Sequence, residues 1–338
     1  MLNENKAVLD RLGISRWHDA GYIGSRGMSL TFERPFVRPI MNGQVEILWN
    51  DLFPVVYQEG DFRQAHAYYT TMLHLQVAPG RKIKSVISSG AVEGNETVSG
   101  FIVDTLIPWM LKNKPDVGYR SLDGGLRREF DATFEKVTPF CTLCNAAGNN
   151  NSRDYASEIT MESWLGIGAA NYKNGVFNPE GYSSESEHVD FCGIAPFYAP
   201  TTNGEASVSD GTSTATPFIA GQMALVNDFF IDKIGRPLSM REMYAFVQFH
   251  SLDIAVPGKD KKTGHGVFIM PDPATINPND WITGGSVVSY GDHSTWSTDA
   301  VKYCVDNGLF KGYDGDFRWK DPITREEMAQ LIYNLQTK

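Results

Sequence analysis

Ser213 follows Gly211 and Thr212 and precedes Thr214-Ala215-Thr216-Pro217 and an apolar run, FIAGQMALVNDFFID. A serine hydroxyl is a weak nucleophile at neutral pH. It needs a base within hydrogen-bond reach and donors for the oxyanion it creates. At a helix start it also meets unpaired backbone N–H groups and the positive end of the helix dipole. Gly211 lets a substrate backbone come close. Pro217 fits a first turn, where its missing N–H costs little. Ala215, Ala220 and Gly221 keep the following helix slim enough to be buried. The same residues also read as a plain N-cap before a core helix, so the chemistry depends on partners elsewhere in the chain.

The elements that must hold such partners follow from patterning. The chain has 338 residues, room for one large domain and a small one. Hydrophobic residues make up 42% and charged residues 21%, the balance of a globular protein. A net charge of −10 with no long basic run argues against nucleic acid as a partner. No apolar stretch is long enough to span a membrane. The start, MLNENKAVLDRLGI, lacks the basic residues and apolar run of a signal peptide. Residues 1–21 read as amphipathic helix and turn. VGYRSL (117–122), FCTLCNAA (140–147) and VDFCGIA (189–195) read as strands, and segments 101–114, 218–232 and 240–252 have helical spacing. This alternation predicts an α/β domain with a mostly parallel sheet. Cys141 and Cys144 form a C-x-x-C in an apolar run, but no second Cys/His pair completes a zinc site, so they read as reduced core residues. PDPATINPND (271–280) reads as a linker.

GTSTATPFIAG resembles the serine signature of the subtilisin family, G-T-S-x-A-T-P ahead of a buried helix. CNAAGNN resembles that family's strand ending in A-A-G-N, which carries the oxyanion asparagine. SLDGG (121–125) resembles its substrate-pairing stretch, and ESWLGIGAANYKNG (162–175) its next strand. These blocks occur in family order across roughly residues 15–272. The resemblance implies a three-layer α/β fold over 1–272 and assigns roles. Ser213 is the nucleophile, Asn149 the side-chain oxyanion donor, and Ser121, Leu122, Asp123 and Gly124 pair with substrate. His66 begins the segment that reaches Val77-Ala78-Pro79 and is the expected base, although Ala67-Tyr68 stands where the family has Gly-Thr. His74 is the competitor. An ungapped reading of DAGYIGSRGMSLTFERPF puts Glu33 where the family carries Asp. A longer carboxylate can still orient a histidine; Glu46, Asp51 and Asp61 are the alternative acids. The implied activity is peptide-bond hydrolysis by a Ser/His/acid triad, without a cofactor. The altered histidine and acid blocks leave open a pseudoprotease that binds peptide or protein without cleaving it.

After a linker at 273–290, residues 291–338 resemble an S-layer homology module: Trp296, Ala300, Gly308, Gly312-Tyr313, Phe317 and Thr324-Arg325-Glu326 fall at its pattern positions. The resemblance implies a small helical unit in which Arg325 helps bind anionic cell-wall polysaccharide; an assembly role is the alternative. It points to a bacterial surface, whereas the absence of an export signal points to the cytoplasm or a phage particle.

Overall fold

The structure, a computed structural model, describes residues 3–49, 62–86, 100–122, 128–151, 161–201 and 205–282. The N-terminal segment forms α1 (Lys6–Arg11) and α2 (Ile14–Asp19), which bury Leu9, Ile14 and Trp17. There follow β1 (Met28–Thr31), β2 (Val45–Ile47), α3 (Phe62–Val77), β3 (Lys82–Ser85), α4 (Ile107–Asn113), β4 (Val117–Arg120), α5 (Asp131–Phe134) and β5 (Thr142–Ala146). The chain continues through β6 (Leu165–Lys173), β7 (Val176–Pro179), β8 (Val189–Ile194), β9 (Phe197–Pro200), β10 (Ala206–Ser209), α6 (Thr212–Ile234), α7 (Met240–Phe249), β11 (Ser251–Leu252) and β12 (Val267–Phe268).

The main sheet runs β11-β12-β8-β6-β5-β4-β1-β3-β2, with β7 added to β6. Every pair is parallel except β11 with β12 and β7 with β6. β4 and β5 are buried along their whole length, the pattern of strands covered on both faces. One face carries α3 and α6. The other carries Phe101–Asn113 and residues 130–137, which pack Phe134, Leu106 and Met110 with Phe32 and Trp164. The result is the expected three-layer α/β arrangement.

Two elements differ from their sequence reading. The 101–114 helix opens with a π turn, Ile102–Leu106, before α4. Pro108 sits at the junction, where it can donate no hydrogen bond to a regular helix. α6 begins at Thr212, ahead of the apolar run, so Pro217 lies in its second turn rather than its first. The Ser213 carbonyl therefore lacks its usual i+4 donor.

The Pro- and Asn-rich stretch after residue 271 is folded. Asp272 and Asn277 cap two short 3₁₀ turns, and the Trp281 ring lies 4.8 Å from Phe246 and 5.3 Å from Phe249. The expected C-terminal module, with Arg325, lies outside the described residues.

Candidate active site

The residues singled out by chemistry gather at one edge of the sheet. Glu33 follows β1, Ser121 follows β4 and Asn149 follows β5, and these three strands are parallel neighbours. The carboxyl edge of a parallel sheet is where α/β folds place ligands. Two helices start at the same edge. α3 and α6 lie side by side and parallel: His74 meets Pro217, and Val77 meets Gly221 further along both helices. Their N-terminal ends, with His66 as the fifth residue of α3 and Ser213 as the second of α6, therefore lie at the same edge.

His66 and Glu33 are in contact. The imidazole Nδ1 lies 2.7 Å from Glu33 Oε2. The carboxylate is 2% exposed, and its other oxygen accepts the Ser121 N–H at 3.2 Å. A carboxylate only accepts, so it selects the Nδ1–H tautomer and leaves Nε2 as the basic nitrogen. The same side chain thus holds the first residue of the expected substrate-pairing stretch. Buried Arg120 donates to the Leu122 carbonyl at 2.7 Å and supports that turn from below. Asp123 and Gly124 lie outside the described residues.

Ser213 stands out within its helix. From Thr212 to Phe230 every other residue is buried. Gly211, at φ 101° and ψ 165°, caps the helix. A β-carbon built there would lie 3.2 Å from both Asn149 Nδ2 and Ser213 Oγ, so the amide and the hydroxyl converge on one spot. The orientation of Asn149 follows from its partners. Its Oδ1 accepts the Thr212 N–H at 2.7 Å and the Thr212 hydroxyl at 3.0 Å. The amide NH₂ is thereby the end left for another acceptor. In the first turn of α6, Thr212 donates to Asn149, while Thr214 and Ala215 donate to the Gly211 carbonyl at 2.9 and 3.2 Å. Among the described residues this leaves the Ser213 N–H as the uncommitted donor of that turn. Thr212 was not singled out from the sequence as a positioning group; its place beside the serine was the available signal.

The competing residues sit elsewhere. His74 is fully buried, its Nδ1 at 3.1 Å donating to the Pro217 carbonyl and its Nε2 at 2.9 Å accepting from Ser29. Burial, with the nearby Arg81 charge, pushes its pKa down to about 3. It is a neutral structural residue between α3, α6 and β1. Glu46 pairs with Lys84 at the surface, and Asp51 and Asp61 lie outside the described residues. Tyr68, at the position of the threonine in the family's Gly-Thr, turns inward and stacks on Phe36 at 5.4 Å. Cys141, Cys144 and Cys192 are buried and unpaired. Among the described residues no cluster of three or more His, Cys, Asp or Glu side chains could hold a metal ion.

Residues 63–266 match the model of the subtilase family, and residues 290–329 match that of the S-layer homology domain. None of the curated proteins matches the chain. Among solved structures, a lanthipeptide protease aligns at a TM-score of 0.60 and 16% identity, covering 81% of this chain and 96% of that one. A cold adapted subtilisin-like serine proteinase aligns at 0.54 and 16% identity, with 74% and 91% covered. A prenylagaramide maturation protease aligns at 0.56 and 13% identity, with 77% and 96% covered. At these low identities the superpositions show likeness of fold alone. Because the family match extends over more than half of the sequence and runs through the helix that bears Ser213, the chain belongs to the subtilase family.

Proposed function

We propose that this chain is a serine endopeptidase with Ser213 as nucleophile, His66 as base and Glu33 in the place of the usual aspartate. The observation that supports the reading is that the Glu33–His66 pair and the Asn149–Ser213 pair both lie at the carboxyl edge of the same parallel sheet. Ser213 Oγ would attack the substrate carbonyl carbon while its proton passes to His66 Nε2. The oxyanion would take hydrogen bonds from Asn149 Nδ2 and the Ser213 N–H. His66 would return the proton to the leaving amine, and water would release the acyl group by the reverse sequence. Ser121 and Leu122, with Asp123 and Gly124, would pair with the substrate backbone. Subtilase membership supports serine peptidase chemistry on a peptide or protein substrate.

The S-layer homology match points to cell-surface association. Arg325 would contribute there to binding an anionic wall polysaccharide. No helix among the described residues is long and apolar enough to cross a membrane.

A fluorophosphonate probe tests the reading, because it reacts only with an activated serine. The wild-type chain should label and should cleave peptides from a mixed library. Ser213→Ala should do neither while keeping the wild-type thermal midpoint. Equal labelling of the two would remove Ser213 from the role, and a wild type that neither labels nor cleaves would favour a peptide-binding scaffold.

A further inference from the structure

The loop between β7 and β8 touches both halves of the proposed oxyanion site. The Tyr182 carbonyl accepts the Asn151 N–H at 2.9 Å, and Asn151, at φ 52°, closes the turn that carries Asn149. Ser184 reinforces this hold: its N–H donates to the Gly148 carbonyl at 2.9 Å and its hydroxyl to Asn150 Oδ1 at 2.8 Å. On the other side, the Tyr182 hydroxyl donates to Asp210 Oδ1. The Gly211 N–H then donates to both of them, at 3.1 Å to the phenol oxygen and 2.8 Å to the carboxylate. Burial and the adjacent carboxylate raise the Tyr182 pKa, so the phenol stays a donor wherever a histidine base can work.

Gly211 is a residue that needs such a hold. Its φ of 101° and ψ of 165° fall in a region essentially reserved for glycine. A glycine leaves any one conformation at little steric cost. Its carbonyl accepts from Thr214 and Ala215, so rotation at Gly211 swings the first turn of α6 and Ser213 with it.

We infer that Tyr182 is a positioning residue for acyl transfer: with Asp210 it locks the Gly211 peptide, so that the Ser213 N–H and the Asn149 amide meet on one developing oxyanion. This inference rests on the protease reading above. The aromatic ring alone would fill space equally well as phenylalanine, so the hydroxyl carries the function.

The test uses the full chain, a chromogenic peptide anilide and steady-state kinetics. Tyr182→Phe should lower kcat by about 10- to 100-fold, the scale of a displaced oxyanion donor. KM should stay within about twofold, because the affected bonds form in the transition state. In an Asn149→Ala background the same substitution should cost less than in wild type, because only the Ser213 N–H is left to misplace and the two donors no longer have to converge. Asp210→Asn keeps an oxygen for both donors and should retain most activity, whereas Asp210→Ala should resemble Tyr182→Phe. If Tyr182→Phe does not fold, the two Asp210 variants decide the matter in the same way. An active wild type whose kcat survives Tyr182→Phe, or a loss fully additive with Asn149→Ala, overturns the inference and leaves the protease reading standing. A wild type that neither labels with fluorophosphonate nor cleaves overturns both.

Discussion

In the proposed triad, Glu33 would carry one methylene more than the aspartate it replaces. One oxygen meets His66 and the other meets the Ser121 N–H. Replacing the carboxylate by an amide keeps the shape but permits the wrong imidazole tautomer, a change that costs roughly 10⁴ in kcat in a serine-protease triad. Glu33→Gln is therefore expected to lose several orders of magnitude in kcat at neutral pH. Glu33→Asp is the sharper measurement. A shorter side chain on this backbone falls short of the imidazole and of Ser121 together, so kcat should fall and KM should rise. Cleavage by Glu33→Gln within a few-fold of wild type would reduce Glu33 to a buried structural acid.

At the scale of elements, the site depends on how closely α3 and α6 approach. Gly221 makes that approach possible: a β-carbon there would lie 2.7 Å from Val77 Cβ. Gly221→Ala should force the helices apart at a cost of about 1–3 kcal/mol. Because α3 carries His66 and α6 carries Ser213, activity should drop along with the thermal midpoint. Removing the opposing β-carbon with Val77→Gly should restore part of the activity, and a double variant no better than Gly221→Ala would refute the docking argument. The legibility of the site also divides at this scale. Ser213, Asn149 and His66 lie in contiguous blocks whose residue types the proposed chemistry requires, so they could be singled out along the chain. Tyr182 and Asp210 are 28 positions apart in the sequence and meet only because the sheet folds the β7–β8 loop beside the start of α6. Linear spacing carries no trace of that contact. The stretch 271–280 misled for a related reason. Its Pro and Asn content has the composition of a tether, but Asp272 and Asn277 spend it on turn caps that fold the chain back against α7.

For the whole molecule, the buried His74 makes stability depend on pH. Its imidazole titrates near 6.5 when unfolded and at about 3 in the fold. Between those values the unfolded chain binds the extra proton, so stability is complete above about pH 6.5 and falls as pH drops toward 3. At about 1.4 kcal/mol per pH unit, the loss is on the order of several kcal/mol. His18 is also lowered by burial and acts in the same direction, whereas half-buried Asp190, raised by desolvation, opposes it. Urea midpoints measured from pH 7 to pH 4 should fall more steeply for wild type than for His74→Gln; parallel slopes would exclude His74 as the cause. The C-terminal segment provides a second measurement at this scale. A chain ending at residue 282 keeps Trp281 against Phe246 and should retain its thermal midpoint and peptide cleavage while losing wall-polymer binding. A chain ending at residue 270 gives up that aromatic contact and should melt earlier.

The three buried cysteines also make the domain a clock for its own breathing. Burial raises the Cys141, Cys144 and Cys192 thiols above their ordinary range, so almost no thiolate forms in the closed state. A thiol-directed reagent can consume them only when the sheet parts from its helices. Cys144 lies against Met223 of α6, and Cys192 against the Thr263 carbonyl. Their separate labelling rates would therefore time two different openings, one under the helix that bears Ser213 and one at the far strands.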